Sequence, residues 1–145
     1  MITEDRFLVC AKKIIGKGKL SLPEEECRTA ISRAYYSLYH TTGSILKKRY
    51  SLRLIREIRK SYPKRMIDLA KLNRLEKKHL RKFNLHRIYP QTLHNLGFKS
   101  IAFRFKDFRI KRNDADYDLD LTFNVPKSRI IVNEIEKLMI NVKQL

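Results

Sequence analysis

Two short segments hold the side chains able to do chemistry. The first is RTAISRAYYSLYH, residues 28–40. Arg33, Tyr36 and His40 are spaced by three and four, so on a helix they share one face. They are candidate contacts to a phosphate-bearing partner. The plainer reading makes Tyr35, Tyr36 and Tyr39 amphipathic packing residues with Arg33 at the surface. The second segment is RNDADYD, residues 112–118. Upstream, Phe98, Ile101, Phe105 and Phe108 repeat at spacings of three and four, and that stripe extended by four lands on Arg112. A guanidinium in an apolar seam is costly unless paired. Asp116, four residues on, is a partner at the right spacing. Arg112 is thus either bridged to Asp116, locking the helix end, or turned into a cleft to hold a phosphate by two bonds, with Asn113 adding an amide donor.

Other chemistries lack their residues. Asp114, Asp116, Asp118 and Asp120 alternate like calcium ligands. An EF-hand loop begun at Asp114 needs Gly at 119 and Glu at 125, and Leu119 and Val125 stand there. His79, His86 and His94 have no zinc-ligand spacing. There is no Gly-rich phosphate loop and no GxSxG. The expectation is therefore no metal and no cofactor.

The elements that position these segments read as helices. Thr3 to Ile15 is a first helix, capped by Thr3, with Glu4 and Asp5 at its positive end. Phe7, Ala11 and Ile14 share a face, and Gly16 and Gly18 end it. Pro23, followed by Glu24, Glu25 and Glu26, opens a second helix running to about Tyr50. Its seam is Cys27, Ile31, Ala34, Leu38 and Ile45, a different face from Arg33, Tyr36 and His40. Leu52 to Lys82 reads as two shorter helices broken near Pro63. Asn84 to Asn95, with Pro90 and two histidines, reads as a loop. A further helix starts near Gly97 and carries the phenylalanine stripe. Pro126 opens the last helix, with Ile131, Ile135, Leu138, Val142 and Leu145 on one face. No segment alternates with period two. The fold class is all-α, an up-and-down bundle of four to five helices in one domain spanning 1–145.

The chain has 145 residues, 33 Lys or Arg against 15 acids, and a net charge of +18. Residues 47–82 hold fifteen of the basic residues and three acids, so twelve of the eighteen net charges lie there. A solvated helix surface accounts for scattered lysines but poorly for so one-sided an excess. Phosphate binding accounts for it better, and Lys47, Lys48, Arg49, Arg53 and Arg56 are candidate contacts. Such contacts position a nucleic acid without reading its sequence. No helix-turn-helix, zinc-finger or basic-zipper pattern is present, which puts RNA ahead of DNA. No stretch approaches the ~18 apolar residues of a membrane span, and the N-terminal charges run in the wrong order for a signal peptide. Cys10 and Cys27 read as buried, reduced thiols in a cytoplasmic protein, with a disulfide between them as the alternative.

SRAYYSLYH on one helix, then some 70 residues on a helix ending in RNDADYDLD, resembles the small HEPN-domain proteins of bacteria and archaea. The resemblance covers the second helix and the last two well, the first loosely, and not the basic insertion at about 47–82. It implies an up-and-down bundle that forms a homodimer, with a polar motif in a cleft at the interface. Many such domains are metal-independent ribonucleases of toxin–antitoxin, CRISPR and phage-defence systems. Others bind RNA, nucleotides or a nucleotidyltransferase partner without cutting. In the family an Arg is followed by a polar residue and, four to six residues on, a His. Arg112 matches the Arg and Asn113 the polar residue. Tyr117 and Asp118 stand where the His would fall.

Metal-free RNA cleavage takes a base for the 2′-hydroxyl, an acid for the leaving oxygen and cations on the phosphate. Histidine suits both proton roles with a pKa near ~6.5, whereas Tyr117, near ~10, is a weak base. The resemblance makes Arg112, Asn113, Asp116 and Tyr117 the catalytic candidates, with His40 as a source of the missing imidazole from a partner subunit. Three expectations follow: a ribonuclease with antitoxin partner, a non-catalytic module binding RNA or another protein, and a plain helical interaction protein whose basic face meets an acidic partner or lipid.

Overall fold

The structure, a computed structural model, describes residues 4–16, 21–65, 67, 68, 72 and 83–145. They form six helices: α1 Glu4–Ile14, α2 Glu24–Arg49, α3 Ser51–Ser61, α4 Leu85–Asn95, α5 Lys99–Tyr117 and α6 Val125–Lys143. No strand occurs among the described residues. The all-α expectation stands, with one helix more than the upper count. Residues 66, 69–71 and 73–82, with most of the expected helix after Pro63 and His79, and the Thr3 and Gly18 signals, lie outside the described residues.

The 26-residue α2 is ~39 Å long at 1.5 Å per residue and is the axis of the bundle. It packs against α1 and α6 on one side and α5 on another, with α3 and α4 at its far end. Of its expected seam, Cys27, Ile31, Ala34 and Leu38 are fully buried, together with Tyr35, while Ile45 is half-buried. Phe105 and Phe108 of α5, and Ile131, Ile135, Leu138 and Val142 of α6, complete the core. The Asn124 side chain accepts from the Lys127 N–H at 2.9 Å, and Pro126 sits in the first turn, so α6 begins where its signals place it.

Residues 85–95 overturn the expected loop. Pro90 lies inside α4, where a proline removes one helical bond and costs ~3 kcal/mol. Leu85, Ile88, Tyr89 and Leu93 are buried, and each contributes ~1.5–3 kcal/mol by leaving water. Packing against α5 and α3 therefore carries a helix that proline content argues against. Gly97, at φ 95°, ends it. Phe98 N–H bonds to the Leu93 carbonyl at 2.9 Å and Gly97 N–H to that of His94 at 3.0 Å, a Schellman turn that favours glycine. A second glycine permits a close approach. A Cβ at Gly43 of α2 would stand 2.6 Å from the Tyr89 Oη.

Both cysteines are free, but only Cys27 is buried; Cys10 is exposed. The apolar stripe of α1 is narrow, with Leu8 and Ala11 buried. Cys10 lies two residues from Leu8, on the far side of the helix.

Candidate functional site

Arg112 is 7% exposed. It falls in the α5 stripe one turn after Phe108, as the spacing predicts. Its Nη1 donates to Asp116 Oδ2 at 3.2 Å. Its guanidinium lies over two α2 rings, 5.1 Å from the Tyr35 centroid and 5.6 Å from that of Tyr36. Burial alone would lower the Arg112 pKa. The Asp116 bond, then Tyr36 and Tyr35, act the other way, and the net shift is upward. The cation is thus held charged by its own helix's acid and two aromatic faces. Its Nε finds no hydrogen-bond partner among the described residues. Of the two readings of Arg112, the ion pair with Asp116 is the one formed.

The two sequence segments meet at this point, which their spacing did not show. Tyr36, beneath Arg112, is also 6.3 Å from Phe7 of α1 and 6.3 Å from His40. Phe7 stacks on His40 at 5.4 Å, and Arg33 lies over Phe7 at 5.9 Å. The Arg33–Tyr36–His40 face is therefore covered in part by α1: Arg33 is exposed, Tyr36 and His40 half-buried. Asn113 is half-buried beside Arg112. Tyr117 is 75% exposed and makes no side-chain hydrogen bond among the described residues. Asp116 also faces the Ser32 hydroxyl, at 3.5 Å.

Two residues in this cluster carried no assignment from sequence. His86 of α4 binds the Tyr35 hydroxyl through Nδ1 at 2.8 Å and stacks on Tyr39 at 4.2 Å. Burial, then Arg112, Arg109 and His40, push its pKa down to about 4. Burial pushes the Tyr35 phenol up, against the opposing pull of Arg112. An imidazole and a guanidinium thus flank one tyrosine ring. The signal for His86 was present: Leu85, Ile88, Tyr89 and Leu93 repeat at three and four, and Pro90 masked it.

The other is Arg28. Its Nη1 donates to the carbonyls of Asp114, Ala115 and Asp118 at 3.1, 3.0 and 2.9 Å. Its Nη2 donates to the Leu121 carbonyl and, at 2.8 Å, to Glu24. One guanidinium therefore ties the end of α5 and the following turn to the start of α2. It gathers carbonyls that a helix C-terminus leaves without donors, and so fixes where RNDADYD ends.

A separate surface carries the charge. Lys48, Arg49, Arg56, Arg59, Lys60, Lys64 and Arg65 are exposed, and Lys47 and Arg53 half-exposed. Glu57, the only acid of α3, is 4% exposed and faces inward with Leu54, Ile55 and Ile58. A groove of 680 Å³ runs along α3, lined by Leu52, Ile55, Arg56, Arg59, Lys60 and Asp68. None of the Arg112 cluster lines it.

Among the described residues no cluster of His, Cys, Asp or Glu has a metal-binding arrangement, and no helix is long and apolar enough to cross a membrane. No protein-family model, no curated protein and no solved structure matches the chain.

Proposed function

We propose that this chain is an RNA-binding helical module of the HEPN type that holds RNA by its phosphates and does not cut it. One observation carries the reading. Residues 47–65 hold nine basic side chains and one acid, and that acid is buried. Apart from Asp68 on the groove and the Lys60–Glu57 pair at 3.4 Å, the outward charge of this surface is positive, and an RNA backbone is the polyanion that gains most from it by releasing counterions. The closed Arg112–Asp116 pair supports the non-catalytic form. A guanidinium already bonded and sandwiched is poorly placed to meet an incoming phosphate.

The experiment is a salt series of binding to a single-stranded RNA of ~20 nucleotides. Affinity should fall steeply with salt, with a log–log slope of about −0.7 per phosphate contacted. Replacing Arg49, Arg53 and Arg56 together by Gln should flatten that slope by about 2. An unchanged slope, or RNA held no better than heparin of matched charge, would overturn the reading.

A second reading rests on the Arg112–Tyr35–His86 arrangement. We infer from it a metal-independent endoribonuclease, for which the resemblance alone suggests a toxin–antitoxin or defence system and a neutralising protein or nucleotidyltransferase as partner. Arg112 would stabilise charge on the phosphate and His86, neutral at pH 7, would take a proton. A pKa of about 4 makes it a weak base at that pH, which keeps this reading second. It requires RNA cleavage in EDTA that vanishes in Arg112→Met, a variant whose circular dichroism must still show the folded bundle because Asp116 loses its partner. Intact RNA after incubation with the unaltered protein would end it.

A further inference from the structure

The groove along α3 differs from the rest of the basic surface. Leu52, Ile55, Arg56 and Arg59 stand at i, i+3, i+4 and i+7, so they form one stripe of the helix and one wall of the groove. Ile55 is buried and Leu52 is 76% exposed, which gives that wall an apolar floor and a bare apolar edge among cations. Among the described residues Asp68 is the only acid that lines the groove. Its backbone is anchored from both sides. Arg59 Nε donates to the carbonyl of Ile67, the preceding residue, at 2.8 Å. The Asp68 carbonyl accepts from the Leu72 N–H at 2.9 Å. Ile67 and Leu72 are both buried, so the carboxylate is held where the core puts it. The volume of 680 Å³ lies within the ~300–1,000 Å³ of small-ligand sites.

Phosphates account for the cations. They do not account for the acid, which repels them, or for the apolar wall, which they do not use. We propose that the groove takes one unstacked guanine base of a single-stranded RNA, and that Asp68 is the residue that reads it. An ionised carboxylate only accepts hydrogen bonds, so it selects a base by its donors. Guanine alone has two donors side by side on its Watson–Crick edge, N1–H and the N2 amine, and they match the two carboxylate oxygens. Adenine and cytosine set one amine beside a ring acceptor. Uracil sets one N–H between two carbonyls, which the carboxylate repels. Guanine also carries the acceptors O6 and N7, which arginine and lysine recognise, and Arg56, Arg59 and Lys60 line the same groove. The flat ring stacks on the leucine and on a guanidinium plane.

The donors and acceptors suffice for this. The Ile67 carbonyl takes one of the five N–H donors of the Arg59 guanidinium. A carboxylate has about four lone-pair sites, so a bond from elsewhere in the chain leaves Asp68 acceptors for the base. In a duplex the Watson–Crick edge is already paired, so the occupant is single-stranded. An acidic peptide would meet the same three cations, but its own carboxylates would face Asp68.

The inference rests on RNA binding by this surface, and the test separates the two. Fluorescence anisotropy with the full chain compares RNAs of about 12 nucleotides: all uridine, or uridine with one central guanosine, inosine, adenosine or cytidine. The all-uridine RNA measures phosphate binding by itself. One guanosine should raise affinity about tenfold. Inosine, which lacks only the N2 amine, should lose most of that gain, and adenosine and cytidine should show little of it. The gain should hold between about 50 and 200 mM salt while every affinity falls, since contacts to a base release no counterions. Asp68→Asn, a near-isosteric change at an exposed position, should abolish the gain and tighten all-uridine binding by removing a negative charge. Circular dichroism checks that the variant folds. All-uridine RNA that fails to bind would sink the RNA reading and this inference with it. All-uridine RNA that binds as well as the guanosine RNA, inosine equal to guanosine, or a gain that survives in Asp68→Asn would overturn this inference alone. Oligoglutamate held more tightly than the guanosine RNA would assign the groove to an acidic protein and overturn it too.

Discussion

His86 keeps an imidazole neutral among cations. Burial is the first cause of its low pKa, and Arg112, Arg109 and His40 add to it. An ordinary histidine takes a proton near pH 6.5, and this one does so near pH 4. Between those values the unfolded chain binds the extra proton, so folding stability falls as pH drops through that window and is level above it. At about 1.36 kcal/mol per pKa unit, discounted for partial exposure, the loss is roughly 2–3 kcal/mol. Urea unfolding at pH 7 and pH 4.5 measures it, and His86→Gln should remove most of the difference. An equal slope in the variant would show that other groups set the acid sensitivity. Nothing in the local sequence gives this property, because it arises first from burial against the α2 tyrosines and then from two arginines that α5 brings to α4.

At the scale of elements, the Arg28 clamp makes the end of α5 depend on α2. Hydrogen bonds from a charged donor are worth ~1.5–3 kcal/mol each when buried, and those to clustered carbonyls are not additive. Arg28→Ala should cost roughly 2–4 kcal/mol and speed hydrogen exchange at residues 118–124. Arg28→Lys should recover little, because a single ammonium cannot span carbonyls that the guanidinium fork reaches from two nitrogens. Recovery by lysine would reduce the clamp to simple charge. The elements themselves were legible wherever one periodicity ruled. The Phe98–Ile101–Phe105–Phe108 row placed Arg112 correctly, and Pro23 and Pro126 marked two helix starts. α4 was not legible, since Pro90 outweighed a clear three–four pattern and tertiary packing decided the matter. The meeting of Arg112 with Tyr35 and Tyr36 joins residues nearly eighty apart. Spacing rules reach only one turn along a helix, so that site had to wait for the fold.

For the molecule as a whole, +18 on 145 residues sets two responses of opposite sign. Self-repulsion strains the folded chain, and salt screens it. The melting temperature should therefore rise by several degrees between about 20 and 200 mM salt, while RNA affinity falls by an order of magnitude or more. Scanning calorimetry beside binding titrations separates the two. A melting temperature that declines with salt would mean that attractive ion pairs such as Lys12–Glu136 and Lys143–Asp5 outweigh the like-charge surface.

The unequal cysteines give the chain a ready-made handle. Cys10 on α1 is open to solvent while Cys27 is sealed in the core, so a thiol-reactive dye or spin label should attach once, without prior mutagenesis. A reporter there would follow how α1 sits on the bundle while the core thiol stays unmodified.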